Sequence, residues 1–423
     1  MDLSRKRHGI GVVLVAAVVA GLVAALLVPA AGGAATPRVA TASGGKITVA
    51  GLGYVQTFGD ADTGAAARFQ AANQNKEVKG YTFDYKELAD DKNDPNTALS
   101  EARRLVTQDG VLAIVPAVSV VTPSDYLTQQ QIPWFGVGYD PTYCTSGSPG
   151  FGLSAYGCLI PPNPKRLPGV QWELLKKELA TKGVTNPTLA LLGTDTTSGK
   201  DSVQSSASTA TGAGFKVVYA KGAFPGPPAV VGDYSPYAQT LLTSNDGKAP
   251  DVIYTSIAPT SALSLTGLIN SSGYTGTYLS PFYSPLLIKP LKGAYVFLQF
   301  AGFESDAAGV KTMMNQINAF KPGTKPSLAL SAGYFSADMF IQAVKNSLKA
   351  SKTLTSASVQ KAAAKMTYQI KDTVGPTQYP ASYKYGVKSC ATLEFDDGTA
   401  FTIAQPFTCT TKTYPILPKF ANG

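Results

Sequence analysis

The sequence predicts an α/β protein built as two doubly wound, parallel-sheet lobes, with the chain crossing between them more than once. Three observations carry this. Short apolar runs alternate with helical stretches along most of the chain, a rhythm that gives parallel strands covered on both faces. The rhythm breaks at a cysteine loop and a proline-rich stretch, 161–168, and then restarts. Without an N-terminal leader the 423-residue chain retains about 380 residues, enough for two lobes of ordinary domain size.

The leader comes first. Residues 1–8 carry Arg5, Lys6 and Arg7, residues 9–28 are uncharged and mostly Val, Ala and Leu, and small residues follow through Ala35. This is the layout of a secretory signal, cleaved after Ala35 or after the A-x-A of Ala40, Thr41 and Ala42. The alternative is an uncleaved anchor, because residues 9–28 are long enough to span a bilayer. Residues 1–42 are therefore expected to be a signal peptide or an N-terminal anchor. Either way the basic cluster stays inside and the remainder is extracytoplasmic: secreted, periplasmic or at the cell surface.

Strand 47–50 leads into a loop with Gly51 and Gly53 and an Ala-rich helix at 63–73. Gln56 stands where the third glycine of G-x-G-x-x-G belongs, which argues against a pyrophosphate cradle. Strand 81–87 follows, then helix 95–107 with Asp94 as cap and Pro95 at its first position. Strand 111–116, helix 123–131 capped by Thr122, and strand 132–137 complete the first sheet. After the break come helix 170–182, strand 188–193, helix 200–212 and strand 215–220. Helices 234–244 and 260–271 flank strand 251–256, and strands 276–280 and 294–300 close the second sheet. Helices 307–320, 334–350 and 355–366 bring too few strands for a third domain and are expected to return to the first lobe. The expected lobes are 43–160 with 304–372, and 161–303 with 373–423.

Composition excludes several chemistries. The single histidine, His8, lies in the leader, so the remainder cannot form a Ser-His-Asp triad, a Cys-His dyad or a His-containing zinc site. The run Ala329 to Gly333 lacks the first glycine of a nucleophile elbow and reads as a helix start with Ser331 near the cap. Asp60, Asp62, Asp90, Asp91, Asp94, Asp195 and Asp233 fall at loops or helix starts, where capping is the commonest role. The Asp90–Asp94 cluster lacks the spacing and terminal Glu of an EF-hand loop. No enzymatic activity, cofactor or metal is expected; a carboxylate-dependent hydrolase is the least favoured alternative.

Removing residues 1–42 takes away Arg5, Lys6, Arg7, Arg38 and Asp2, so the formal charge falls from +9 to +6. The lysines are scattered and no Arg-rich or aromatic-interleaved basic run appears, which disfavours nucleic acid as a partner. Four cysteines in an oxidising compartment favour disulfides. Cys144 with Cys158 and Cys390 with Cys409 are the expected pairs, although three connectivities are open.

The blocks KITVAGLGYVQTFGDADTGAAARF, YKELADDKNDPNTALSEARRLV, VLAIVPAVSVVTPSDYL and IPWFGVGYDP, followed by TLALLGTDTTSGKD, DVIYTSIAPTSA and YLSPFYSP, resemble the type I periplasmic binding proteins. The similarity is to the leucine/isoleucine/valine-binding branch serving ABC importers, and it covers Lys46 to Thr402. It implies two lobes joined by a multi-strand hinge, with DTVGPTQYPASYKYG as the late crossover. It also implies a small-molecule solute held between the lobes without covalent chemistry, and an ABC permease as partner. Carried over block by block, the first lobe would contribute Phe58, Ser119, Gly138 and Tyr139, and the second Ser198, Ile257, Phe282 and Tyr283, with Tyr54 joining Phe58, Tyr139, Phe282 and Tyr283 as rings of the expected cleft. Amino-acid binders of the family place an acid near Phe282 to neutralise the ligand ammonium. A ring there predicts weak binding of branched-chain amino acids, since a buried ammonium without a counterion costs several kcal/mol and a cation–π contact recovers only about 0.5–2 kcal/mol. A membrane-anchored ligand-sensing ectodomain is the competing expectation.

Overall fold

A computed structural model describes residues 40–137, 141–153, 164–226, 229–383 and 389–420. Residues 1–39 of the leader, Gly138, Tyr139 and Cys158 lie outside the described residues. Among the described residues no helix is long and apolar enough to cross a membrane.

The first sheet contains β1 (Lys46–Gly53), β2 (Thr82–Asp90), β3 (Ala113–Val118), β4 (Trp134–Gly136) and β5 (Gly150–Gly152), in the order β2-β1-β3-β4-β5 and parallel throughout. Its connections carry α1 (Val55–Phe58), α2 (Asp60–Gln74), α3 (Pro95–Thr107) and α4 (Ser124–Gln129). Asp94 caps α3 by accepting the Thr97 N–H at 2.7 Å, with Pro95 at the first position, as expected. Thr122 does not cap α4; Pro123 occupies that place without a side-chain bond.

The second sheet is mixed. β6 (Arg166–Pro168) and α5 (Val170–Thr181) lead into β7 (Thr188–Thr194), α6 (Thr197–Ala213), β8 (Lys216–Phe224), α7 (Ser235–Leu242), β9 (Val252–Ser256), α8 (Pro259–Ser271), β10 (Thr277–Ser280) and β11 (Tyr295–Leu298). The chain continues through α9 (Ala308–Phe320), α10 (Leu328–Ala350), α11 (Ser356–Ala363), β12 (Thr367–Ile370) and β13 (Val374–Gln378), and ends with β14 (Ser389–Asp396), β15 (Phe401–Thr410) and β16 (Thr413–Pro415). The order β15-β14-β11-β10-β9-β7-β8 is parallel from β8 to β11, after which β14 and β15 add an antiparallel edge. Cys390 faces Cys409 across the β14–β15 ladder and is disulfide-bonded to it. Cys144 is also disulfide-bonded.

Helix α10 packs on the first sheet and on α2. Its Phe340 meets Phe69, Phe83 and Phe135 edge-on at ring separations of 5.2–6.2 Å. The two helices touch through glycine: a Cβ on Gly64 would lie 2.1 Å from the Leu330 carbonyl oxygen, and one on Gly333 2.0 Å from that of Ala61. Ser327, not Ser331, caps α10, which therefore begins a turn earlier than expected. Arg68 of α2 forks onto Glu77 at 2.7 and 2.9 Å and reaches Asp338 of α10 at 2.7 Å, while Lys345 meets Glu77 at 2.7 Å.

Two segments run side by side from the second sheet toward the first. The Ala301 N–H donates to the Thr373 carbonyl at 2.8 Å, and the Thr392 hydroxyl donates to the Phe300 carbonyl at 2.8 Å while accepting from the Gly302 N–H at 3.1 Å. Beyond β13, Tyr379 and Tyr383 reach the β5 edge, their hydroxyls bonded to the Gly152 N–H at 2.7 Å and the Ser148 carbonyl at 2.6 Å.

Candidate functional site

Strand order locates the crevices. In the first sheet β2 and β3 flank β1, and in the second β8 and β9 flank β7. Connections leave such a point in opposite directions and open a gap beyond the strands' carboxyl ends. The loops after β1, β3, β7 and β9 are therefore the ones able to line a ligand, and Tyr54, Phe58, Ser119, Ser198 and Ile257 lie on or beside them.

At the first gap the Tyr54 N–H donates to the Val118 carbonyl at 3.3 Å, tying the ends of β1 and β3 together. Its half-buried ring directs the hydroxyl to Gln56. Burial, and then the carboxylates of Asp90 and Asp91, raise the Tyr54 pKa. Phe58 ends α1 with 8% exposure and belongs to the core. Ser119 is buried, and its Oγ accepts the Val121 N–H at 3.0 Å. Asp91 is wholly buried beside it; burial raises this carboxyl, and bonds from the Ser119 hydroxyl and the Asn93 N–H (2.7 Å) partly offset the effect. Ser119 is thus buried beside Asp91 rather than exposed to a ligand.

At the second gap Thr196 caps α6 by accepting the Gly199 N–H at 3.0 Å, and Ser198 stands half-buried in the first helical turn, its Oγ 3.3 Å from the Thr196 hydroxyl. A Cβ on Gly199 would lie 2.2 Å from the Thr194 carbonyl oxygen, so glycine lets the helix start press against the strand end. Ile257 follows β9 with 2% exposure, inside the core.

Beyond β10 the two rings differ. Phe282 is half-buried, its N–H and carbonyl both bonded to the Ser280 hydroxyl at 3.1 and 3.2 Å. Tyr283 is buried, its ring against Phe303 and Phe401 at 4.7 and 4.5 Å and its hydroxyl donating to Glu304 at 2.6 Å. Tyr283 is committed to packing, whereas Phe282 retains exposed surface.

Sequence reasoning missed the acids behind this edge. Glu304 is exposed and receives the Tyr283 hydroxyl; Glu394 of β14 is wholly buried near it, with no hydrogen-bond partner for either carboxyl oxygen among the described residues. Burial, then the Glu304 carboxylate, push Glu394 up to about 10, so it carries a proton at neutral pH. A Cβ on Gly302 would lie 2.1 Å from the Glu394 Oε1, placing this carboxyl directly against the crossing segment.

The other acids have structural partners. Asp60 accepts from Ser327 at 2.7 Å, Asp62 from Tyr85 at 2.9 Å, Asp233 from the Ser235 N–H at 2.8 Å, and Asp195 pairs with Lys200. Among the described residues no group of three or more His, Cys, Asp or Glu side chains could hold a metal. Five large hydrophobic side chains are exposed there, and four lie in the connections that follow carboxyl strand ends: Val55, opening α1, after β1, Val120 after β3, Val230 after β8 and Leu286 after β10.

Residues 44–399 match the family model described as periplasmic binding protein. No curated protein matches the chain. Among solved structures it is similar to a branched-chain amino acid ABC transporter protein from Thermus thermophilus with bound valine (TM-score 0.62, 16% identity, covering 86% of this chain and 96% of that one). It is likewise similar to a fatty acid ABC transporter substrate-binding protein from Thermomonospora curvata (TM-score 0.65, 15% identity, 90% and 96%). A third is the solute binding protein of an ABC transporter from R. palustris in complex with benzoate (TM-score 0.61, 14% identity, 86% and 97%).

Proposed function

The chain belongs to the periplasmic binding protein family, with the type I fold of the leucine/isoleucine/valine-binding type, and on that premise we propose that it is the extracytoplasmic solute-binding component of an ABC importer. It captures a small organic solute other than a simple branched-chain amino acid, and it does so without covalent chemistry. The lobes are 43–160 with 304–372, and 161–303 with 373–423, closing by bending where the two segments cross.

One observation carries the choice of solute. Hydrophobic side chains left in water collect on the loops at the carboxyl edges of both sheets, through Val55, Val120, Val230 and Leu286. Exposed apolar side chains at such an edge offer contacts to an apolar solute. The loop after β10, Pro281–Pro285, contains no acid. Glu304, from the next loop, already accepts the Tyr283 hydroxyl at 2.6 Å, so an ammonium would compete with that bond. Tyr54 and Phe282 would form facing walls, with Ser198 and the backbone after Ser119 as polar contacts, together with Gly138 and Tyr139.

Isothermal calorimetry against benzoate, a medium-chain fatty acid and leucine tests this. Heat is expected with an apolar carboxylate and none with leucine, and Phe282→Ala should weaken the binding strongly. Micromolar leucine binding with no response to the apolar solutes would overturn the assignment.

A further inference from the structure

The amino end of the first sheet, opposite the carboxyl edge just described, is a lysine face. Here β1 begins at Lys46, β2 at Thr82, α2 ends at Gln74 and α10 at Ala350. The elements are sewn together: Ala42 N–H to the Leu354 carbonyl at 3.0 Å, Ser356 N–H to that of Ala40 at 2.9 Å, Thr82 N–H to that of Gly45 at 2.8 Å, and Lys345 to Glu77 at 2.7 Å. Lys76, Lys79, Lys349, Lys352, Lys361 and Lys365 stand exposed around this seam. Among the described residues none of the six is in an ion pair, whereas the local acids are already matched: Glu77 by Arg68 and Lys345, Asp84 by Lys46 and Lys86, and Asp109 by Arg104. Residues 339–371 contain no acid at all.

Helix dipoles explain part of the pattern, since cations are favoured at helix carboxyl ends. That accounts for Lys349 in the last turn of α10 and Lys365 just past α11. It also covers Lys361 in the last turn of α11 and Lys76 and Lys352 just past α2 and α10, and leaves Lys79 without such a reason.

We propose that this face rests on an anionic membrane surface. Charge complementarity gives the chemistry, because each lysine near an anionic bilayer is worth roughly a fivefold gain in partitioning. The course of the chain selects a membrane over a soluble polyanion. The described chain begins at Ala40, within the lysine face, and the sequence before it holds the uncharged, mainly apolar stretch 9–28. Residues 29–39 span at most about 40 Å when fully extended, so a retained apolar stretch would keep the lysines close to the bilayer. The docked protein then points the carboxyl edge of its first sheet away from the lipid, toward incoming solute.

The full-length chain, reconstituted into vesicles with a nitroxide-headgroup quencher, tests the proposal. A fluorophore is placed on Lys352→Cys or, as control, on Lys248→Cys before β9. Quenching is expected at position 352 in vesicles containing phosphatidylglycerol, not in pure phosphatidylcholine and not at 248. It should disappear at high salt and fall at least about tenfold when Lys76, Lys79, Lys361 and Lys365 are changed to Gln. Equal quenching in neutral vesicles, equal quenching at both positions, or indifference to the four substitutions would overturn it. So would tight, salt-sensitive binding of soluble polyphosphate with no docking on anionic vesicles. Should the fourfold variant fail to fold, the lipid and salt arms on the unsubstituted lysines decide alone.

Discussion

Glu394→Gln should raise stability at neutral pH, the reverse of the usual result of altering a buried polar group. The native carboxyl is protonated, held up to about 10 by burial and by Glu304, against an ordinary value of 4.5 in the unfolded chain. Folding therefore retains a proton that unfolding releases. A native group raised in this way gives full stability below about pH 4.5, loses about 1.4 kcal/mol per pH unit above it, and stops losing near pH 10. By pH 7 the accumulated loss is about 3 kcal/mol. Glutamine keeps the neutral shape but releases no proton, so it abolishes the slope. Urea unfolding of both proteins with disulfides intact, at a series of pH values from 5 to 9, reads the effect. The stabilities should be similar at pH 5 and separate by about 3 kcal/mol at pH 7, with Glu394→Gln the more stable. Glu304→Gln removes only the second cause, so its slope should persist over a narrower pH range. A gap between wild type and Glu394→Gln that is constant across pH would refute the protonated assignment.

The remaining predictions concern packing and cross-linking. Gly333→Ala forces a Cβ to within 2.0 Å of the Ala61 carbonyl oxygen between two helices, and should cost about 3 kcal/mol or more in urea unfolding. Gly267→Ala, inside α8 with nothing within 4 Å, should instead gain about 0.5–1 kcal/mol. Replacing Cys390 and Cys409 together by Ser opens a loop with a sequence separation of 19 and should cost about 3 kcal/mol, read as a drop in the urea midpoint.

The parallel parts of both sheets were legible because periodicity and caps agree there. Asp94-Pro95 marks a helix start in the letters themselves, and the all-apolar run at β3 can only be a strand buried on both faces. The antiparallel edge was not legible. In β14, Ala391, Leu393 and Phe395 alternate with Thr392, Glu394 and Asp396, which reads as a strand with one wet face. The crossing segment at Gly302 covers that polar face, a long-range contact that no local pattern encodes. The strand β5, Gly-Phe-Gly, carries almost no strand propensity and exists because β4 templates it. Helix α10 was expected to start near Ser331, but the cap comes from Ser327, whose hydroxyl also reaches Asp60 across the fold.

The site was legible as a set of loops but not as a set of side-chain directions. Strand order alone puts Tyr54, Ser119, Ser198 and Ile257 beside the two gaps, yet Ser119 is buried beside Asp91 and Ile257 turns into the core. The same distinction governs the argument about ammonium. From the sequence, an aromatic ring at Phe282 means a missing counterion. In three dimensions Glu304 arrives at that edge from the next loop, so a carboxylate is not missing; it is engaged. Its Oε1 accepts the Tyr283 hydroxyl at 2.6 Å. A ligand ammonium that took this oxygen would leave a buried phenol without its acceptor. That loss costs about 1–3 kcal/mol, comparable with what one charge-assisted hydrogen bond returns. Under the proposed function, exclusion of simple amino acids rests on competition for the Glu304 oxygen that Tyr283 already holds, and Glu394→Gln, which leaves that bond in place, should preserve it.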